Sequence, residues 1–108
     1  MKPSGRVIIG HGVIGILGKF DFPVHREFKN GYMTMLDNPD ISQIEVDMRD
    51  VVYIDSAALG MLMLLSRRAH QVNKSVVLSH PSSYVSLLLE VANFEKIFTI
   101  KATESLPM

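Results

Sequence analysis

Residues 53–65 read YIDSAALGMLMLL, and across one Asp-Ser pair the chain passes from a β-like run into its most apolar segment. Up to Ile54 the residues are β-branched or aromatic. From Ala58 onward, Ala58, Leu62, Leu65 and Ala69 recur at the spacing of one helix face. That face is assigned to a core and needs a sheet to cover it, because an apolar helix stripe is stable only when buried against another element. At about 100° per residue, Ser56, Gly60, Met63 and Arg67 fall together on a different side, with Leu64 at its edge. This second side combines large apolar residues, a glycine that permits close approach and a cation, which suits a protein partner.

The rest of the chain supplies the sheet. Arg6 to Ile9 and Val13 to Leu17 are β-rich runs around Gly10-His11-Gly12, the pattern of an antiparallel hairpin. Pro23 is placed to open a helix whose apolar positions are Val24, Phe28, Tyr32 and Met35, with Gly31 weakening its interior. After the turn residues Asp37-Asn38-Pro39-Asp40, the alternation of Ile44, Val46 and Met48 predicts a strand, and Val51 to Ile54 leads into the Asp-Ser pair. A short β run from Ser75 to Ser79 follows. Ser82 or Ser83 then caps a helix through Val91 with Val85, Leu88 and Leu89 inward, and Ile97 to Ile100 forms a last strand.

The order β-β-α-β-α-β-α-β predicts an α/β fold with a mixed, mostly parallel sheet and right-handed crossovers. A length of 108 residues fits one domain spanning 1–108, with Ala102 to Met108 expected to be loosely held. No internal repeat or linker divides it.

Charge and composition narrow the function. Eleven basic and eleven acidic side chains cancel, so no global field attracts nucleic acid or an acidic membrane surface. With no cysteine, disulfides, zinc-thiolate sites and thiol catalysis are excluded. The amino-terminal MKPSGRVIIGHG shows no signal-peptide pattern, and the apolar run from Ala57 to Leu65 falls short of the roughly 20 residues that span a bilayer. Cytoplasmic location without membrane insertion is the expectation.

Several motifs tempt and fail. Gly10-His11-Gly12-Val13-Ile14-Gly15 satisfies G-x-G-x-x-G, but that fingerprint must open a helix, whereas Val13 to Leu17 is β-branched and punctuated by glycine. His11, His25, His70 and His80 show no pairwise i, i+4 spacing for a metal. No acid, base and nucleophile set marks an enzyme, and no cofactor is indicated. Met61, Met63 and the leucines around them read as core rather than as a cofactor box.

Ser56 itself has the position of an N-cap, its hydroxyl accepting from the free N–H groups of the first turn. A phosphoryl group there would add about −1.5 to −2 charges at the rim of the Gly60–Met63–Arg67 face. The helix N-terminus tolerates an anion, while a partner with apolar or acidic groups would meet repulsion, to which Asp55 adds.

Val52-Tyr53-Ile54-Asp55-Ser56-Ala57-Ala58-Leu59-Gly60 resembles the D-S-[ST]-G-L-G signature of the STAS domain, the family of bacterial anti-sigma factor antagonists. Gly18-Lys19-Phe20-Asp21 is similar to the family's G-x-[LIF]-D segment, and Asn93-Phe94-Glu95-Lys96-Ile97 to its approach to the last strand. The resemblance implies a sheet of four to five strands with helices packed mainly on one face and no catalysis of its own. It also implies a serine kinase or anti-sigma factor of the histidine-kinase-like ATPase type as partner, and a metal-dependent serine/threonine phosphatase to reset the switch. By the same resemblance Ser56 is the phosphoacceptor and Asp21 lies near it. Asp55, Gly60, Met63, Leu64 and Arg67 complete the expected partner surface. Ala57 and Ala58 depart from the usual Ser/Thr and Gly, leaving Ser56 as the motif's hydroxyl. The family also includes domains that serve as unphosphorylated structural subunits of membrane transport ATPases, which is the alternative.

Overall fold

The first two strands, β1 (Arg6–Ile9) and β2 (Val13–Phe20), pair antiparallel in the computed structural model, which describes residues 5–101. The expected tail, 102–108, lies outside the described residues. Gly12 turns the hairpin at φ 76°, and the Gly10 N–H closes it on the Val13 carbonyl at 2.8 Å. The glycine-rich segment therefore stays extended, and the dinucleotide reading finds no helix to stand on.

After α1 (Phe22–Leu36) come β3 (Gln43–Asp47), β4 (Val51–Ile54), α2 (Ser56–Gln71), β5 (Ser75–Ser79), α3 (Ser83–Val91) and β6 (Thr99–Lys101). The sheet order is β1-β2-β3-β5-β6, and every pairing except β1–β2 is parallel. The sheet has six strands rather than four or five because the run through Met48 and Val51 is broken in two. Asp47 Oδ1 accepts the Arg49 N–H at 3.0 Å, an Asx turn that removes the chain from the ladder before it re-enters at Val51. The eight-residue β2 accommodates both halves. It pairs with β3 over Val13 to Gly15 and, past an irregularity at Gly18 (φ 83°), with β4 up to Phe20 and Ile54.

The helices pack on one face. Ile14, Ile16, Ile44, Val46, Val76 and Leu78 from the strands meet Val24, Phe28 and Tyr32 of α1, Ala58, Leu62, Leu65 and Ala69 of α2, and Val85 and Leu89 of α3 in one core. Leu88 is only partly buried. Edge-to-face contacts run from Phe20 to Phe28 (5.0 Å) and on to Tyr32 (5.4 Å). At Gly31 a Cβ would lie 2.6 Å from the terminal methyl of the half-exposed Ile9, which would have to turn aside. On the opposite face of the sheet, Ser79 Oγ donates to Glu45 Oε2 at 2.6 Å.

Of the two serines offered as the α3 cap, Ser82 takes the role by accepting the Val85 N–H at 3.2 Å. Asn93 leaves α3 at φ 62°, and a 3₁₀ turn over Phe94–Lys96 precedes β6. Ile97 and Phe98 both donate to the Phe94 carbonyl, and the Phe94 and Phe98 rings meet at 5.3 Å. These local bonds hold Ile97 and Phe98 out of the sheet, so the last strand starts at Thr99 instead. Among the described residues no helix is long and apolar enough to cross a membrane.

Candidate functional site

The parallel pairing of Phe20 with Ile54 brings the ends of β2 and β4 side by side, and each strand delivers an aspartate to the start of a helix. The Asp55 N–H donates to the Phe20 carbonyl at 3.2 Å, which ties the two strand ends together. Two helix N-termini, each with the positive end of its dipole, thus open at one corner of the molecule, and Asp21 and Asp55 supply negative charge there.

Asp55 is the N-cap of α2, extended at φ −97° and ψ 171°, with Oδ1 accepting the Ala58 N–H at 2.7 Å. This corrects the expectation that Ser56 caps the helix. The chain leaves the extended conformation one residue earlier, and Asp caps as well as Ser does. Ser56 occupies the first helical position, is exposed, and its hydroxyl is committed to no hydrogen bond among the described residues. Losing the capping role frees it for chemistry.

Asp21 precedes α1 in the equivalent place but makes no capping bond, and its Oδ1 is buried without a hydrogen-bond partner among the described residues. From Ser56, the exposed stripe continues along α2 through Gly60, Met63 (49% exposed) and Arg67. It extends about 16 Å at about 1.5 Å per residue. Leu64 is half-buried beside it. A Cβ added at Gly60 would meet nothing within 4 Å, so the fold itself does not require glycine there. Arg67 forms no ion pair among the described residues. The structure thus gathers Asp21, Asp55 and Ser56 at one corner and sets Gly60, Met63 and Arg67 in line behind it.

Two residues of this corner escaped the sequence reading. Phe22, at the first turn of α1, is 77% exposed. His25, one turn into α1, points Nε2 at Asp55 Oδ1 from 3.5 Å, its side chain only 13% exposed. The signals were present: Phe22 lies off the Val24–Phe28–Tyr32 stripe, and Asp21 and His25 stand at i, i+4 at the start of a helix. The pairing with Asp55, thirty residues away in sequence, had no local trace.

The arrangement offers an exposed, uncommitted hydroxyl at a helix N-terminus, followed by a shallow apolar stripe ending in a cation. Farther along the α1–α2 seam the Tyr32 hydroxyl is buried without a hydrogen-bond partner among the described residues. Burial holds its phenol above the ordinary value, with the Arg68 guanidinium pulling the other way.

Comparison with known proteins gives the family and the fold. The family model described as "Mlab, STAS domain" matches residues 10–101. A STAS-domain containing protein of Pseudomonas aeruginosa strain UCBPP-PA14 is 39% identical over 87 residues, covering 81% of this chain and 84% of that protein. Among solved structures, an anti-sigma factor antagonist from Mycobacterium paratuberculosis superposes with a TM-score of 0.70 at 16% identity, over 93% of this chain and 86% of the other. The phosphorylated form of the Bacillus cell fate determinant SpoIIAA does so with a TM-score of 0.66 at 15% identity, over 94% and 93%. At these identities the structures establish a shared fold, and the family model and the Pseudomonas relative establish descent: the chain belongs to the STAS domain family.

Proposed function

We propose that this protein is a phosphorylation-controlled partner-switching regulator of the anti-sigma factor antagonist type, acting in the cytoplasm. Bare, it binds a serine kinase or anti-sigma factor of the histidine-kinase-like ATPase type through Ser56 and the stripe of Gly60, Met63, Leu64 and Arg67, flanked by Asp21 and Asp55. Phosphorylated on Ser56, it releases that partner, and a metal-dependent serine/threonine phosphatase restores the bare form.

The observation that carries this reading is the position of Ser56, exposed and uncommitted at the head of the α2 stripe. A dianion there faces whatever docks on Met63 and Gly60 and imposes desolvation and repulsion on it. Because Asp55 rather than Ser56 caps the helix, modification leaves the α2 start hydrogen-bonded. A neighbour of the same fold is known in a phosphorylated form, which is consistent with the fold bearing a phosphate.

Mass spectrometry of protein isolated from cells, together with partner affinities of Ser56→Ala and Ser56→Asp, tests the reading. Phosphate on Ser56 is expected, with Ser56→Ala binding like the bare protein and Ser56→Asp binding at least about tenfold more weakly, or about 1.4 kcal/mol. No phosphate and equal affinities would reject the switch. Co-purification with a membrane transport ATPase under those conditions would point to the structural-subunit alternative.

A further inference from the structure

His25 is a largely buried residue of the strand-end corner that partner switching leaves without a task. Its ring is flanked by two aromatic rings in edge contact, Phe20 at 6.3 Å and Phe22 at 5.7 Å. Its Nε2 is buried without a hydrogen bond among the described residues and stands 3.5 Å from Asp55 Oδ1. That oxygen already accepts the Ala58 N–H at 2.7 Å. An imidazolium there would face the capping carboxylate at ion-pair distance.

The surroundings are one-sidedly acidic. Asp21 closes β2 and Asp55 closes β4, while α2 carries no charged residue between Ser56 and Arg67, and β4 carries none. On β2, Lys19 is exposed, and on α1 itself Arg26, Glu27 and Lys29 are exposed. Among the described residues His25 is the base whose side chain is turned into this corner. A dianion on Ser56, one residue from Asp55, adds a further negative group and makes the capping carboxylate harder to hold in place.

We propose that His25 is a positioning residue of the switch: it takes up a proton from solvent when Ser56 carries phosphate, and the imidazolium holds Asp55 on the α2 N-terminus. The phosphorylated domain thereby keeps its helix start, and partner release follows from charge rather than from local unfolding. This rests on the phosphoserine reading of Ser56.

The test uses the full chain with phosphoserine placed at position 56 during translation, so that no kinase is needed. Thermal midpoints of modified and unmodified protein are compared for the natural sequence, His25→Gln and His25→Lys at about pH 6.4 and about pH 8.5, the first close to the ordinary imidazole value of about 6.5 and the second well above it. With its second ionisation near pH 6, the phosphate is mostly dianionic at both values.

At the lower pH, phosphate is expected to depress the midpoint by about 4 °C more in His25→Gln than in the natural sequence, corresponding to roughly 1 kcal/mol in a domain of this size. At the higher pH the two are expected to converge, while His25→Lys shows the small penalty at both. Equal depressions in all three proteins at both pH values would overturn the proposal and leave His25 a packing residue. Each variant's own unmodified form is the reference, so a general loss of stability does not mimic the result. Absence of phosphate from Ser56 in cells would overturn the switch separately.

Discussion

The two helices that open at the corner, α1 and α2, begin on the same residue type and use it differently. Asp55 spends one carboxylate oxygen on the Ala58 N–H; Asp21 makes no such bond. The third amide of each helix separates the two. In α2 it lies on Ala58 and is left for the side chain to cap. In α1 it lies on Val24, after Pro23, which has no N–H, and is taken by the Asp21 backbone carbonyl at 3.0 Å. One aspartate is thus structural, and the other is left with an unpartnered buried oxygen at the rim of the proposed docking face. Identical residues at equivalent positions acquire different roles according to which of their oxygens takes that amide.

The contrast can be broken most sharply at Asp55. Asp55→Ala removes the α2 cap and the partner of His25 and is expected to cost about 1–2 kcal/mol, measured as a lower urea midpoint with unchanged slope. A change below a few tenths would show that the cap is not structural.

Gly60→Ala comes next, with opposite signs in two measurements. Alanine meets nothing within 4 Å and is a better helix former, so stability should rise by about 0.8–1 kcal/mol, while the added methyl on the flat face weakens partner affinity. Higher stability with unchanged affinity would remove Gly60 from the docking surface.

Tyr32, deeper in the α1–α2 seam, shows whether the charge effects are confined to the corner. Its phenol is raised by burial, so the unfolded chain releases this proton first. The stability tied to it is complete below about pH 10, the ordinary tyrosine value, and falls as pH rises beyond it. Tyr32→Phe should remove that fall while changing stability at neutral pH by less than about 1 kcal/mol, since among the described residues the hydroxyl's one polar neighbour is the Arg68 guanidinium and no bond of good geometry joins them. Denaturant titrations at neutral and alkaline pH measure both.

The smallest effect is expected at Asp21. Asp21→Ala deletes no capping bond and removes an unpartnered buried oxygen, so stability should stay level or rise by about 0.5 kcal/mol. A loss comparable to that of Asp55→Ala would erase the distinction between the two helix starts.

Much of the architecture was legible because it rests on short-range pattern. The four inward positions of α2, the hairpin around Gly10-His11-Gly12 and the α1 stripe all follow from periodicity and turn chemistry, and the structure buries those apolar positions. The division of one strand into β3 and β4 was not legible. It depends on whether the Asp47 side chain captures the Arg49 amide, a competition between local hydrogen bonds and the ladder that apolar alternation does not register. The late start of β6 has a similar cause, since the Phe94 carbonyl collects the Ile97 and Phe98 amides before the sheet can.

By itself, then, the sequence determined the alternation of strands and helices, the face of α2 that is buried and the face that is not, because each follows from residue spacing within one element. That Asp55 rather than Ser56 caps α2, and that His25 and Asp21 share its corner, emerges once the strands are paired. Those outcomes depend on β2 and β4 ending in register, a pairing between segments some thirty residues apart in sequence that no local pattern encodes.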